Sequence, residues 1–209
     1  MLRLGDDALI VTVADVISWE TGTRVRALAQ RVRDLHIECV TDVVPAYLSF
    51  AVYCRSGFVF DDVADAVRAV LASETTADSG GARVIEIAVK YDGPDLNDVA
   101  ERTGLTIERV ISLHSSASYR AFMVGFAPGF AYLGELDAAL VLPRKAVPRV
   151  RVPAGSVAIA GVQTAVYPLP TPGGWHLIGS TDAVMFDPSR AEPALIRAGD
   201  TVRFIPVRA

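Results

Sequence analysis

At 209 residues, with 51% apolar and 21% charged side chains, the chain can hold one large domain or two small ones, each with a real core. Its net charge of -4 and pI near 5.4 argue against nucleic acid, which needs clustered Lys and Arg on one face. The charge-poor stretch from Ala121 to Gly134 is broken by Gly and Pro and falls short of the roughly 20 apolar residues that span a bilayer. Small molecules or proteins are therefore the expected partners, with neither nucleic acid nor membrane. Two aspartates stand where a secretory apolar region would begin, so no signal peptide is readable and the cytoplasm is the expected compartment.

In chain order, the β-branched run Ala8 to Val13 predicts a strand entered through the Gly5-Asp6-Asp7 turn. From Thr23, apolar residues at Val25, Leu28, Ala29, Val32 and Leu35 follow a 3.6-residue period, predicting a helix capped by Thr21 or Thr23. Ile37 to Val44 and Tyr47 to Cys54 read as two strands parted by Pro45-Ala46. Phe60 to Ser73 reads as a second amphipathic helix with Asp61 or Asp62 at its positive end. Cys39 and Cys54, on neighbouring predicted strands, read as buried thiols in a reducing compartment. The order β-α-β-β-α, closed by a strand at Val84 to Val89, predicts a small ferredoxin-like α/β domain. The polar Thr75 to Gly81 segment is the best linker, which divides the chain into domains 1–80 and 83–209.

Asp95 to His114 holds two short helices hinged at Gly104, a spacing that imitates a helix-turn-helix. The second helix carries Glu108 and a single arginine, Arg109, so a plain packed pair is the better reading. From Tyr119 the runs RAFMVGF, FAYLG, VPAGSVAIAG, AVYPLP, WHLIGS, AVMFD and TVRFIPV, punctuated by Gly and Pro, suit a β-barrel.

No P-loop, GxGxxG, GxSxG or HExxH is present. The three histidines, at 36, 114 and 176, have no partner at helical ligand spacing, so neither a metal site nor a self-contained ATP site is expected. Gly125 to Phe130 (GFAPGF) can form an apolar wall with exposed amides through Phe126 and Phe130, or a turn with core phenylalanines. Pro143-Arg144 and Pro148-Arg149 each place a rigid residue before a cation. Arg149, leading directly into VPAGSVAIAG, is the better candidate to hold a carboxylate, the alternative being a solvated arginine. Gln163 can hydrogen-bond an amide or sit as a satisfied core amide. In Pro172 to His176, Trp175 can cover a small ring and His176 can move a proton; either can also be structural. His114, before Ser115-Ser116, is a second proton-transfer candidate under the same alternative.

In order, GFAPGFAYLG, PR, PR, VPAGSVAIAGVQT, YP and PGGWHLIGST resemble the family that holds the B subunit of 5-oxoprolinase, allophanate hydrolase subunit 1 and the Kip-type kinase inhibitors. Gly5-Asp6, Val44-Pro45-Ala46-Tyr47, Tyr91 to Leu96, Thr103-Gly104-Leu105 with His114, and Gly199-Asp200 extend the resemblance over most of the chain. It implies an α+β protein: a small ferredoxin-like α/β N-terminal domain followed by a cyclophilin-like β-barrel. It also implies a carboxyltransferase-domain protein, inert alone, with two partners. One is the 5-oxoprolinase C subunit or its counterpart, allophanate hydrolase subunit 2; the other is the 5-oxoprolinase A subunit. Together they open 5-oxoproline, a small amide, to glutamate at the expense of ATP, with no cofactor bound by this chain alone. The substrate-binding set is then Phe126, Phe130, Arg149, Gln163, Tyr167 and Trp175, with His114 and His176 catalytic. The family also admits a histidine-kinase inhibitor or a component of a urea-processing complex. The chain departs from the family pattern at Ala165, where relatives read Gly, and at Ser180, where they read Arg.

Overall fold

In the computed structural model, residues 1–73 and 83–207 are described, and the predicted linker Thr75 to Gly81 lies outside them. The chain divides into two compact units, Met1–Gly81 and Ala82–Ala209.

The first unit is built from β1 (Leu2–Leu4), β2 (Ala8–Thr12), α1 (Trp19–Asp34), β3 (Val40–Pro45), β4 (Ser49–Cys54) and α2 (Phe60–Ala72). The strands form one antiparallel sheet in the order β1-β2-β4-β3. Alternate residues Leu9 and Val11 of β2, with Phe50 and Val52 of β4, meet the apolar stripes of the two helices, Val25, Leu28 and Val32 on α1 and Val63 and Val67 on α2. Two expectations are corrected here. Leu2–Leu4, across the Gly5-Asp6-Asp7 turn, takes the edge beside β2 that Val84 to Val89 was expected to fill. The α1 cap is Ser18, whose Oγ accepts from Thr21 N at 3.1 Å, while Thr23 Oγ1 donates back to Trp19 O. The helix therefore starts earlier than its apolar period suggests, because its first turn is half-exposed.

The second unit opens with β5 (Val84–Val89), then α3 (Leu96–Thr103) and α4 (Ile107–Ser116), joined through Gly104 in the left-handed region at φ 69°. Next come β6 (Ser118–Val124), β7 (Ala131–Gly134), β8 (Arg149–Val152), β9 (Ser156–Ala160), β10 (Gln163–Val166), β11 (Thr171–Gly173), β12 (His176–Ser180) and β13 (Thr201–Pro206). Seven of the strands form a sheet in the order β12-β9-β10-β7-β6-β13-β5. β5 runs parallel to β13, so the run from Val84 to Val89 belongs to this sheet. The two edges then meet. Lys90 N donates to Ser180 O at 2.9 Å and Ser180 N to Lys90 O at 2.7 Å, which brings the sheet close to a closed barrel. Closure needs glycine: a Cβ at Gly93 would lie 2.3 Å from the Ile178 carbonyl carbon and the Leu177 oxygen.

Alternation along the strands sorts the side chains into two layers. Leu133, Ile159, Val166, Ile178, Val202 and Phe204 fill one core with α3 and α4. Ala158, Ala160, Ala165 and Leu177 form a second, with Phe130, Val152, Tyr167 and Trp175. The two-stranded β8–β11 sheet contributes Val152 to that second layer. β8 has no counterpart among the predicted runs, and the predicted AVMFD run shows only one isolated bridge, Phe186 to Ala194.

Candidate functional site

The two candidate histidines part company. His114 is fully buried in the first core of the barrel, stacked on Phe204 with ring centroids 4.7 Å apart. Thr164 Oγ1 donates to Ala158 O at 3.0 Å, so it accepts from His114 Nε2–H at 2.8 Å; Nδ1 then accepts from the Tyr91 hydroxyl at 2.8 Å. Burial lowers the imidazole from its ordinary 6.5 to about 3. A ring held neutral, with both nitrogens engaged and no exposed surface, is a core connector. The expectation of His114 as a proton carrier is corrected on that ground.

His176, at the start of β12, is also buried, but its polar partners are different. Nε2 lies 2.9 Å from the Pro143 carbonyl, which only accepts, so Nε2 carries the proton. Nδ1 has no hydrogen-bond partner among the described residues, and Asp98 Oδ2 stands 3.6 Å from it.

Beside this ring lies a cluster of charges. Asp95, just before α3, is 4% exposed. Its Oδ1 accepts from Lys145 Nζ at 2.8 Å and from Arg149 Nη2 at 2.7 Å, and its Oδ2 accepts from Leu177 N at 2.7 Å. Lys145 also lies 4.0 Å from Asp98. Burial pushes the Asp95 carboxyl up, but the bonds from Arg149, Lys145 and Leu177 outweigh it and hold it at about 2. Arg149 Nη1 is buried without a hydrogen-bond partner among the described residues. The expected carboxylate binder thus already holds one carboxylate, the chain's own.

Aromatic rings build the adjoining wall. Phe130 is the hub, edge-on to Phe126, Tyr132, Tyr167 and Trp175 at centroid distances of 4.9 to 5.7 Å. Arg144 sits over Trp175 at 5.9 Å from the ring. Phe130, Tyr167 and Trp175 are buried, whereas Phe126 is 62% exposed and holds φ at 71°, a costly conformation for a bulky side chain. Burial raises the Tyr132 and Tyr167 phenols, so both stay neutral. Gln163 falls on the face of β10 that also carries Ala165 and Tyr167, by the alternation of the strand.

The structure therefore brings Phe126, Phe130, Tyr167 and Trp175 into one aromatic group, with Gln163 on the same strand face as Tyr167. Arg149 and His176 instead gather around the carboxylates Asp95 and Asp98, and His114 stays in the core. Asp95, Asp98 and Lys145 are the residues that the sequence reading missed. Asp95 was legible only as part of the Tyr91 to Leu96 marker, because its partners stand 50, 54 and 82 positions away. A cavity of about 390 Å³ opens in the first unit, lined by Ile37, Glu38, Cys39, Arg55 and Asp62, and holds none of these residues. Cys54 beside it is a free thiol, pushed up to about 11 by burial and by Cys39. Among the described residues, no three potential ligands converge on a metal position, and no helix is long and apolar enough to cross a membrane.

A ferredoxin-like α/β unit followed by a cyclophilin-like barrel, bearing an aromatic wall next to a buried carboxylate–cation cluster, defines the class of protein. Residues 1–196 match the family described as carboxyltransferase domain, subdomain C and D, and the chain belongs to that family. It is 43% identical to the B subunit of 5-oxoprolinase from Escherichia coli O157:H7, over 97% of this chain and 94% of that one. It is 37% identical to the B subunit of 5-oxoprolinase from Bacillus subtilis (strain 168), over 98% and 91%. The crystal structure of TTHA0988 superposes with a TM-score of 0.85 at 40% identity, covering 97% of this chain, which spans 40% of the TTHA0988 chain.

Proposed function

We propose that this chain is the B subunit of an ATP-dependent 5-oxoprolinase complex, acting with partners of the C-subunit and A-subunit types. Near-full-length likeness to two proteins that bear the 5-oxoprolinase B-subunit name supports the assignment. The observation that carries the chemistry is Arg149, with one arm bonded to Asp95 and the other buried and unpartnered among the described residues, near a wall of aromatic rings. A small ring bearing one carboxylate and one amide suits that arrangement: the rings cover its apolar face, Arg149 meets its carboxylate, and Gln163 pairs with its amide.

In the reaction, water adds to the lactam carbonyl, the carbon–nitrogen bond breaks, and the departing nitrogen takes a proton, leaving glutamate. His176 Nδ1 with Asp98 is the pair in this chain suited to hold such a proton. ATP and the groups that use it belong to the assembled complex, so the isolated chain is inert. The test is 5-oxoproline-dependent ATP hydrolysis by the three subunits together. Omitting this chain abolishes the rate, and Arg149→Ala lowers it at sub-saturating 5-oxoproline by weakening substrate binding; a rate unchanged by either overturns the proposal.

A further inference from the structure

A guanidinium is a rigid planar fork, so fixing one of its nitrogens fixes the direction of the other. Arg149 Nη2 is fixed by Asp95 Oδ1 at 2.7 Å, and Asp95 is itself immobilised: it is 4% exposed, bonded to Lys145 through the same oxygen and to the Leu177 backbone through the other. Asp95 N also donates to Leu177 O at 2.9 Å, so the residue is stapled to β12 by backbone and side chain together. Nη1 is left as a buried donor without a partner among the described residues. A buried donor left unpaired costs free energy, and such groups persist where something else completes them.

We infer that Asp95 is the positioning residue of the substrate-carboxylate site: it takes one arm of Arg149 and thereby aims the other, so the ligand meets one fixed donor group rather than an open two-armed fork. This rests on the 5-oxoproline reading above. It also gives arginine a role at this position that another cation would not fill. A lysine at 149 has a single nitrogen, which the buried Asp95 carboxylate would capture, leaving nothing for the ligand. An asparagine at 95 has the opposite effect. The guanidinium remains, but it loses its charged anchor, and the new amide N–H groups face donors that were bonded to a carboxylate.

Two measurements test this. In the complex reconstituted from all three subunits, Arg149→Lys and Asp95→Asn are each expected to raise KM for 5-oxoproline roughly tenfold to a hundredfold, the worth of a hydrogen bond to a charged group, with a much smaller change in kcat. In nitrogen NMR of this chain alone, Arg149 is expected to show separate Nη1 and Nη2 resonances because its rotation is blocked, and Asp95→Asn to merge them. Arg149→Lys with the wild-type KM, or Asp95→Asn with the resonances still separate, overturns the inference while leaving the functional reading in place. Should Asp95→Asn fail to fold, Arg149→Lys, which keeps an ion pair with Asp95, decides by KM. A wild-type complex without 5-oxoproline-dependent turnover removes the functional reading instead, and the wild-type spectrum still decides whether Arg149 is held.

Discussion

Asp95 and Arg149, 54 positions apart in sequence, share a hydrogen bond of 2.7 Å that joins the segment before α3 to β8. The same carboxylate binds Lys145 and the backbone of Leu177. One buried group thereby ties together three stretches of chain that each carry part of the candidate site. Buried carboxylates persist when their oxygens are filled by cations and N–H donors, as both are here.

The Asp95 carboxyl, held at about 2 against an ordinary 3.8, makes stability depend on acid. A folded pKa below the unfolded one gives a contribution that is complete above about pH 4 and is lost as pH falls toward 2, worth about 2 kcal/mol. Urea midpoints at pH 7, 4 and 2 measure it. The expected result is a loss between pH 4 and 2 that shrinks in Asp95→Asn; equal losses in both proteins contradict it.

His114 acts in a higher window. It is neutral when folded, with its pKa near 3, whereas the unfolded chain takes up the proton below about 6.5. Full stability is therefore present above pH 6.5 and declines as pH falls toward 3, by on the order of 4 kcal/mol. His114→Gln removes the titrating group, so its stability is expected to vary much less from pH 6.5 to 4. Nitrogen NMR of the wild type at pH 7 and 5 is expected to show the Nε2–H tautomer at both.

Gly93→Ala tests the barrel closure. The new Cβ meets backbone atoms of Leu177 and Ile178 at 2.3 Å, which cannot rotate away, so a loss of more than about 3 kcal/mol is expected in urea unfolding. Gly104→Ala is the contrast: its Cβ would have open space, and only the left-handed φ of 69° is strained, at about 1 kcal/mol. Similar losses for the two would mean that the seam tolerates a side chain.

Phe126→Gly separates strain from function. The side chain is 62% exposed and its φ of 71° suits glycine. Thermal unfolding is expected to show stability unchanged or raised by up to about 1 kcal/mol, while 5-oxoproline turnover by the complex falls. A large loss of stability would instead make Phe126 a structural residue.

From the sequence alone, local periods determined a great deal: the amphipathic stripes of α1 and α2, the packed α3–α4 pair with glycine at its joint, and the Gly- and Pro-punctuated strands of the barrel. Those features are set within a few residues of one another by helix and strand geometry, which is why they could be read. The aromatic and arginine candidates were legible as residue types in a dense segment, but their assembly was not. The break at Thr75 to Gly81 placed Val84 to Val89 after the small domain, but only the tertiary structure decided that it pairs with β13 and that Leu2–Leu4 closes the small sheet instead, since an apolar strand fits either sheet. It alone separated the two histidines, sealing His114 behind Thr164 and setting His176 beside Asp98. It alone showed that Arg149 already holds Asp95. Pairings across 50 to 82 positions leave no periodic trace, because the chain between the partners is free to vary so long as the barrel brings their ends together.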